Sequence, residues 1–265
     1  MNRTIDYFAA DPAGNITIFV LSRTDRRDYQ WIARALLART GLGAEQVAFI
    51  KSPGVMEMCG LEFCGNAARA FGLYTAIEAG LTGEQTIYVS VSGCEAALAV
   101  DVNTCNGFTR AAMPLPRSIT RLTGTGLDLL EQGMLVDMDG ILHLVLQDVK
   151  PSRQRFDELR GYLENLYAPP AVGVMFYDTA SGFMTPVVYV RDVDTTYFEG
   201  SCASGTVAAA AALCKEREEG SFAMRFPQPA GILDAVVVKK RGVVRAVYIE
   251  GRVKLGPVMS LELVQ

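Results

Sequence analysis

Apolar and polar positions divide the first part of the chain into strand-like and helix-like runs that glycine and proline separate. Residues 15–20 and 46–50 are short runs rich in β-branched and aromatic residues, which predicts strands. Between them, residues 29–40 have the apolar spacing of a helix, and Gly41 follows as a stop signal. The chain is therefore expected to begin with a strand, a helix and a second strand.

The same order of elements returns in the second half of the chain. The later elements are a predicted strand at residues 141–146, a helix at 156–166 and a strand at 172–177. Ile141 follows Ile16 by 125 residues (141 − 16), and Val172 follows Val47 by the same 125 residues (172 − 47). This matched spacing indicates an internal duplication.

Each half continues with a cysteine that opens an alanine-rich helix. The two segments are Cys64-Gly65-Asn66-Ala67-Ala68 and Cys202-Ala203-Ser204-Gly205-Thr206. A glycine follows each cysteine at the same distance, 29 residues, at Gly93 (93 − 64) and Gly231 (231 − 202). Two residues after each glycine a strand-like run begins, at residues 95–100 and 233–238. We predict an α/β (α+β) fold of two pseudo-symmetric domains.

The boundary between these domains is expected at the proline-rich segment 113–117, where the repeat restarts. The prediction assigns residues 1–116, with Cys64, to the N-terminal half and residues 117–265, with Cys202, to the C-terminal half. A C-terminal tail of about residues 257–265 is allowed to pack on the N-terminal half. A pair of similar domains forms a cleft at its interface, and the active site is expected there.

Composition narrows the classes of function. Half of the 265 residues are hydrophobic, which is enough for a sizeable core, and the net charge is −4 with no basic cluster. Nucleic acid and membrane are therefore poor expectations as partners, and a small molecule is preferred. The N-terminus lacks an apolar run of signal-peptide length, and no uninterrupted apolar stretch of about 18 residues occurs later. We expect a cytoplasmic protein, with a homodimer as one option for its oligomeric state.

Paired cysteines at helix starts suit a reaction that exchanges a proton between two faces of a carbon. Racemisation removes the Cα proton from one face and returns one to the other, so a thiolate base and a thiol acid can exchange roles. A helix N-terminus is expected to lower the pKa of a thiol, because its N–H groups favour negative charge. The small residues after each cysteine leave backbone N–H groups accessible to a substrate carboxylate.

Both cysteine segments resemble the motifs of diaminopimelate epimerases, and Gly14-Asn15 is similar to the N-terminal Gly-Asn signature of that family. The resemblance covers the whole chain and implies the two-domain fold of these epimerases. It also implies that Cys64 and Cys202 are the catalytic acid/base pair and that neither a metal nor pyridoxal phosphate takes part. The carboxylate contacts that it implies, mostly through backbone N–H groups, are Asn15, Gly65, Asn66, Ala203 and Ser204.

Departures from the epimerase pattern change the expected substrate. The segment 194–200 lacks the arginine of the Glu-Arg-Gly segment that grips the distal end of diaminopimelate in those epimerases. The chain is more similar to histidine racemases that make D-histidine for opine metallophores, through Glu45-Gln46-Val47, Val91-Ser92-Gly93-Cys94 and Gln228-Pro229. Ala203 stands where that family usually has glycine. Glu45 is either an exposed loop residue or a carboxylate that binds a substrate imidazole or cation.

Other functions are kept open at this point. The enzyme could racemise another amino acid, including diaminopimelate, or act as an isomerase of the phenazine-biosynthesis group, which lacks the cysteine pair and uses a glutamate. A ligand-binding protein without turnover is a further alternative, for which Ala203 is the one hint.

His143 is the only histidine. We expect it to be packed and hydrogen-bonded in a strand, because no partners for a metal site are visible near it.

Overall fold

A computed structural model describes residues 2–138, 140–191 and 194–264. The chain divides into two compact units. The first unit runs up to Ala112 and resumes at Glu250, and the second runs from Met113 to Ile249. The predicted cut after residue 116 thus lies four residues later than this division (116 − 112). The C-terminal segment joins the first unit from Glu250, earlier than about residue 257, because its strands pair with β1 (Asn2–Asp11).

The first unit is a mixed sheet with helices packed against it. Its remaining elements are β2 (Thr17–Val20), the 3-10 turn η1 (Arg26–Asp28), α1 (Tyr29–Arg39), β3 (Gln46–Ser52), β4 (Val55–Met58), α2 (Gly65–Glu78), β5 (Glu84–Val91), β6 (Leu98–Asn103), β7 (Phe108–Met113), β17 (Lys254–Leu255) and β18 (Met259–Val264). Strands β2 and β3 are parallel, as are β4 and β5, whereas β1 and β2, β3 and β4, β5 and β6, and β6 and β7 are antiparallel.

The second unit repeats this order. Its elements are β8 (Ser118–Arg121), α3 (Asp128–Gln132), β9 (Met134–Asp137), β10 (Ile141–Gln147), α4 (Arg153–Tyr167), β11 (Ala171–Tyr177), β12 (Met184–Val190), β13 (Thr195–Phe198), α5 (Ala203–Leu213), β14 (Gly220–Gln228), β15 (Gly231–Lys240) and β16 (Val243–Arg252). Strands β10 and β11 are parallel with α4 between them, β12 is antiparallel to β11, and β14 and β15 form an antiparallel hairpin.

The predicted duplication is confirmed by these two topologies. In each unit a strand, a helix and a parallel strand are followed by an antiparallel strand, a cysteine, an alanine-rich helix and an antiparallel hairpin. One predicted strand is wrong in its bounds, because residues 95–97 precede β6 and the strand continues to Asn103. The predicted strand at 15–20 begins at Thr17, so Asn15 lies in the loop before it.

Burial of apolar faces explains where the two cysteine-bearing helices lie. Helix α2 packs Ala67 and Phe71 into a core with strands of the first unit. A Cβ added to Gly72 would lie 2.7 Å from Val100 Cγ1, so only glycine allows α2 to approach β6 this closely. In α5, the run from Val207 to Ala211 is fully buried. Small residues in the middle of each helix thus allow close packing. Among the described helices, none is long and apolar enough to cross a lipid bilayer.

Candidate active site

Cys64 forms the N-cap of α2, as the sequence predicts. Its backbone is extended (φ −129°, ψ 110°), and its Sγ accepts a hydrogen bond from the backbone N–H of Ala67 at 3.4 Å. The thiol also donates to Gln46 Oε1 at 3.0 Å. Cys64 is half-buried, and its sulfur lies beside the N–H groups of the first turn of α2.

Asn15 and Glu45 lie in contact with each other. Asn15 is 2 % exposed, and its Nδ2 donates to Glu45 Oε2 at 2.6 Å. Although much of the Glu45 side chain is exposed, partial burial raises the pKa of its carboxyl, and the hydrogen bond from Asn15 opposes this shift. Because Gln46 follows Glu45 and contacts Cys64, the structure brings these predicted residues to one region of the first unit.

Gly65 and Asn66 form the first turn of α2 and are both buried. Asn66 Oδ1 accepts a hydrogen bond from Arg69 Nη2 at 3.2 Å, and Arg69 Nη2 also approaches the carbonyl oxygen of Pro12 at 3.5 Å. Pro12 belongs to the loop that carries Asn15. The buried Arg69 therefore connects the first turn of α2 with the loop that precedes β2.

Cys202 occupies the equivalent N-cap position of α5. Its backbone is again extended (φ −123°, ψ 113°), and its Sγ accepts from the backbone N–H of Gly205 at 3.4 Å. Its own N–H donates to Gln228 Oε1 at 2.9 Å, and Gln228 Nε2 donates to Thr206 Oγ1 at 2.9 Å. Thr206 Oγ1 in turn donates to the Cys202 carbonyl oxygen at 2.6 Å. This closed set of buried hydrogen bonds fixes the backbone of Cys202.

The expectation that a helix start lowers the thiol pKa is wrong for Cys202. This residue is 6 % exposed, and burial raises its pKa well above the usual value. The Glu199 carboxylate raises the pKa further through its negative charge and by accepting a hydrogen bond from the thiol. The Ser204 hydroxyl and the Gly205 N–H lower it, but by less. Without substrate, Cys202 is therefore a protonated thiol near neutral pH.

Ser204 links Cys202 to the single histidine. Its Oγ lies 3.1 Å from His143 Nε2 and 3.6 Å from Cys202 Sγ. His143 is fully buried in β10, and burial lowers its pKa to about 3, so the ring is neutral. Within the described residues, His143 Nδ1 has no hydrogen-bond partner. The expectation of a packed, hydrogen-bonded histidine is confirmed, and the bond goes to a predicted site residue.

Ala203 and Gly205 differ in what their side-chain positions allow. Ala203 is the first residue of α5 and is 6 % exposed, so its methyl group is buried at the helix start. At Gly205 an added Cβ would collide with Met175 Sδ and lie 3.2 Å from Cys202 Sγ. A side chain at position 205 would therefore displace Met175 and crowd the Cys202 sulfur.

Reasoning from sequence missed four residues of this arrangement: Gln46, Arg69, Glu199 and Gln228. Gln46 and Gln228 lie in segments that carry the resemblance to histidine racemases, which was the available signal. Glu199 lies in the segment 194–200, which lacks the arginine of the epimerase pattern. No group of three or more His, Cys, Asp and Glu side chains in the described part of the chain could hold a metal ion.

Comparison with known proteins assigns the family. A family model described as the histidine racemase CntK N-terminal domain matches residues 4–257. A histidine racemase of Fusobacterium nucleatum is 32% identical over 264 residues, which cover 96% of this chain and 95% of that protein. The chain belongs to the histidine racemase family. It is an isomerase, an amino-acid racemase.

More distant proteins agree with this assignment. A histidine racemase of Staphylococcus aureus is 27% identical over 256 residues, covering 91% of each chain. A solved structure of a predicted epimerase from Pseudomonas aeruginosa superposes with a TM-score of 0.68 at 16% identity, covering 98% of this chain and 99% of that one. At this identity the likeness shows the fold alone, which is the epimerase-like fold that the sequence predicts.

Glu199→Gln is expected to lower the pKa of Cys202 in this racemase. The substitution removes a negative charge that disfavours the thiolate while keeping a side chain of the same size. The rate of iodoacetamide alkylation at Cys202, followed by mass spectrometry across pH, should therefore rise at lower pH than in the wild-type protein. Glu218→Gln, an exposed substitution after α5, serves as the control. An unchanged or raised pKa of Cys202 would contradict the role of Glu199.

His143→Gln is expected to change how stability depends on pH. The pKa of His143 falls from 6.5 to about 3 on folding, so stability is present above pH 6.5 and is lost as pH falls towards 3. In the wild-type protein, protonation of His143 in the unfolded state should lower the free energy of unfolding by up to about 1.4 kcal/mol for each pH unit below the unfolded pKa. Glutamine cannot take up the proton, so urea unfolding from pH 7 to about pH 4.5 should show the two stabilities converging. Parallel curves would contradict the buried neutral imidazole.

Proposed function

We propose that the enzyme interconverts L- and D-histidine without a cofactor, with Cys64 and Cys202 as the acid/base pair on opposite faces of the substrate Cα. The observation that carries this proposal is the equivalence of the two cysteines. Each is the N-cap of a helix at the same point of the duplicated topology, and each sulfur accepts the N–H of the residue three positions later at 3.4 Å.

In the proposed reaction a thiolate takes the Cα proton, and the electron pair of the broken C–H bond delocalises into the substrate carboxylate. The thiol of the other cysteine then donates its proton to the opposite face of Cα. One cysteine ends as a thiol and the other as a thiolate, so the reverse reaction uses the same groups with their roles exchanged. Because burial, and after it Glu199, raises the pKa of Cys202, its thiolate is a strong base once it has formed.

The carboxylate of the substrate is assigned to the helix starts. The residues assigned to it are Asn15, Gly65, Asn66, Ala203 and Ser204. Backbone N–H groups at a helix N-terminus favour an anion and stabilise the charge that builds up as the proton leaves. Glu45 is assigned to the substrate imidazole, because a partly desolvated carboxylate can accept a strong hydrogen bond from a ring N–H. Its contact with Asn15 supports this by holding both side chains in one region.

Histidine is preferred as substrate because relatives that are 32% and 27% identical to this chain are named histidine racemases. We further assign the reaction to the cytoplasm and to the supply of D-histidine for opine metallophores.

The test is to incubate the purified enzyme with each L-amino acid separately in deuterium oxide, followed by chiral analysis and mass spectrometry. D-Histidine carrying one Cα deuterium is the expected product. No product from histidine, or a better substrate among the other amino acids, would refute the assignment.

Cofactor independence is expected to appear as indifference to added cofactors and to chelation. Two thiols supply both proton transfers, so neither an electron sink such as pyridoxal phosphate nor a metal is needed. Racemisation rates should be the same before and after dialysis against EDTA. They should also be unchanged after addition of pyridoxal phosphate, or of zinc at concentrations too low to occupy the two thiols. Loss of activity on chelation that metal restores would contradict the two-thiol reaction.

A further inference from the structure

A fully buried arginine lies directly under the start of α2. Arg69 is 0 % exposed and follows Cys64 by five residues (69 − 64), among the buried residues Ala67, Ala68 and Ala70. Burying a guanidinium is costly unless its donors are used, and a buried charged group is weak evidence for added stability. The position of Arg69 therefore calls for an explanation other than helix stability.

The contacts of Arg69 join three segments of the first unit. Nη2 donates to Asn66 Oδ1 at 3.2 Å and lies 3.5 Å from the Pro12 carbonyl oxygen. Nη1 lies 3.4 Å from Thr109 Oγ1 on β7, and Thr109 Oγ1 donates to the Gly251 carbonyl oxygen at 3.1 Å. The guanidinium is thus anchored to the sheet on one side and reaches the first turn of α2 and the loop before Asn15 on the other.

This geometry defines the orientation of the Asn66 amide. Arginine is only a donor, so the atom facing it must be the amide oxygen, and the Nδ2 donor group is turned away from the guanidinium. The positively charged guanidinium lies 3.2 Å from the side chain of Asn66, a residue of the first helical turn that we assign to the substrate carboxylate. In a poorly solvated interior such a charge adds to the effect of the helix start, and both favour an anion.

We infer that Arg69 is a positioning residue for the carboxylate of the substrate: it orients the Asn66 amide, holds the loop that carries Asn15, and raises the affinity of the α2 start for an anion. This inference rests on the proposed function, because it takes the bound molecule to be an amino acid. Arg69, which solvent does not reach, would thus help to select substrates that carry a carboxylate next to the reacting carbon.

The test compares two ligands that differ in the carboxylate. Binding of L-histidine and of L-histidinol, in which an alcohol replaces the carboxylate, is measured by calorimetry for the wild-type enzyme, Arg69→Lys and Arg69→Met. Loss of a charge-assisted contact should weaken histidine binding by about tenfold or more in Arg69→Met and leave histidinol unchanged. Arg69→Lys should retain part of the preference, because it keeps the charge but not the forked donors. Equal weakening of both ligands, or no change, would overturn the inference.

Two further comparisons apply if Arg69→Met does not fold or if histidine is not the substrate. If Arg69→Met does not fold, Asn66→Ala with Arg69 intact takes its place and should lose the same preference for histidine over histidinol. An unchanged preference in Asn66→Ala would then overturn the inference. If the wild-type enzyme racemises a different amino acid, the proposed substrate fails. The same comparison is then made with that amino acid and its amino alcohol, so the role of Arg69 is tested separately.

Discussion

Serine in place of either Cys64 or Cys202 is expected to abolish racemisation. A hydroxyl is a far weaker acid than a thiol, so serine cannot supply an equivalent base near neutral pH, and each direction of the reaction needs both groups. We expect kcat for L-histidine to fall by about 10³-fold or more in each variant. The measurement is chiral chromatography of the reaction at several times over a day.

Cys105→Ser is the matched control, because Cys105 is an exposed thiol in the turn between β6 and β7 of the first unit. Its activity should equal that of the wild-type enzyme. Each single site variant should still eliminate HX from a β-substituted amino acid of one chirality, because elimination needs only one base. Racemisation that survives either substitution at a wild-type rate would contradict the paired-thiol reaction.

Histidine is expected to be racemised far better than diaminopimelate. The segment before Cys202 offers no arginine for a distal carboxylate. The distal ammonium and carboxylate of diaminopimelate would therefore be desolvated without full pairing, which a selective site penalises heavily. We expect kcat/KM for L-histidine to exceed that for meso- and LL-diaminopimelate by about 100-fold or more, measured with one enzyme preparation.

Glu45→Gln adds a test of why histidine is preferred. The substitution keeps the size of the side chain and its contact with Asn15 but removes the charge that strengthens a hydrogen bond from an imidazole N–H. It should lower kcat/KM for histidine more than for an amino acid with a neutral aliphatic side chain. A preference of the wild-type enzyme for diaminopimelate would overturn the substrate while leaving the two-cysteine reaction standing.

The duplicated fold and the helix starts at Cys64 and Cys202 could be predicted because they leave periodic signals in the sequence. Strand and helix runs recur at one offset, and an N-cap followed by small residues is a local pattern. The predicted helix at 29–40 corresponds to α1 (Tyr29–Arg39) for the same reason. Features of this kind depend on residues that are close together along the chain.

The electrostatics of the site could not be predicted in the same way. The pKa of Cys202 depends on its burial and on Glu199, and the local pattern of a helix start suggested the opposite direction. In the sequence, Arg69 looks like an ordinary polar position of a helix. Its burial results from contacts with β7 and with the β1–β2 loop. Both results come from tertiary contacts, which outweigh the local preference that the sequence displays.

The most direct test of the paired-thiol account is the position of the solvent label early in the reaction. L-Histidine is incubated with the enzyme in deuterium oxide, and both enantiomers are isolated after a few per cent conversion. A thiol carries a single proton, so the base returns the original hydrogen to the L face while the opposite thiol supplies deuterium to the D face. We predict deuterium in nearly all D-histidine and almost none in the recovered L-histidine. Deuterium entering both enantiomers at the same rate would contradict two separate acid/base groups.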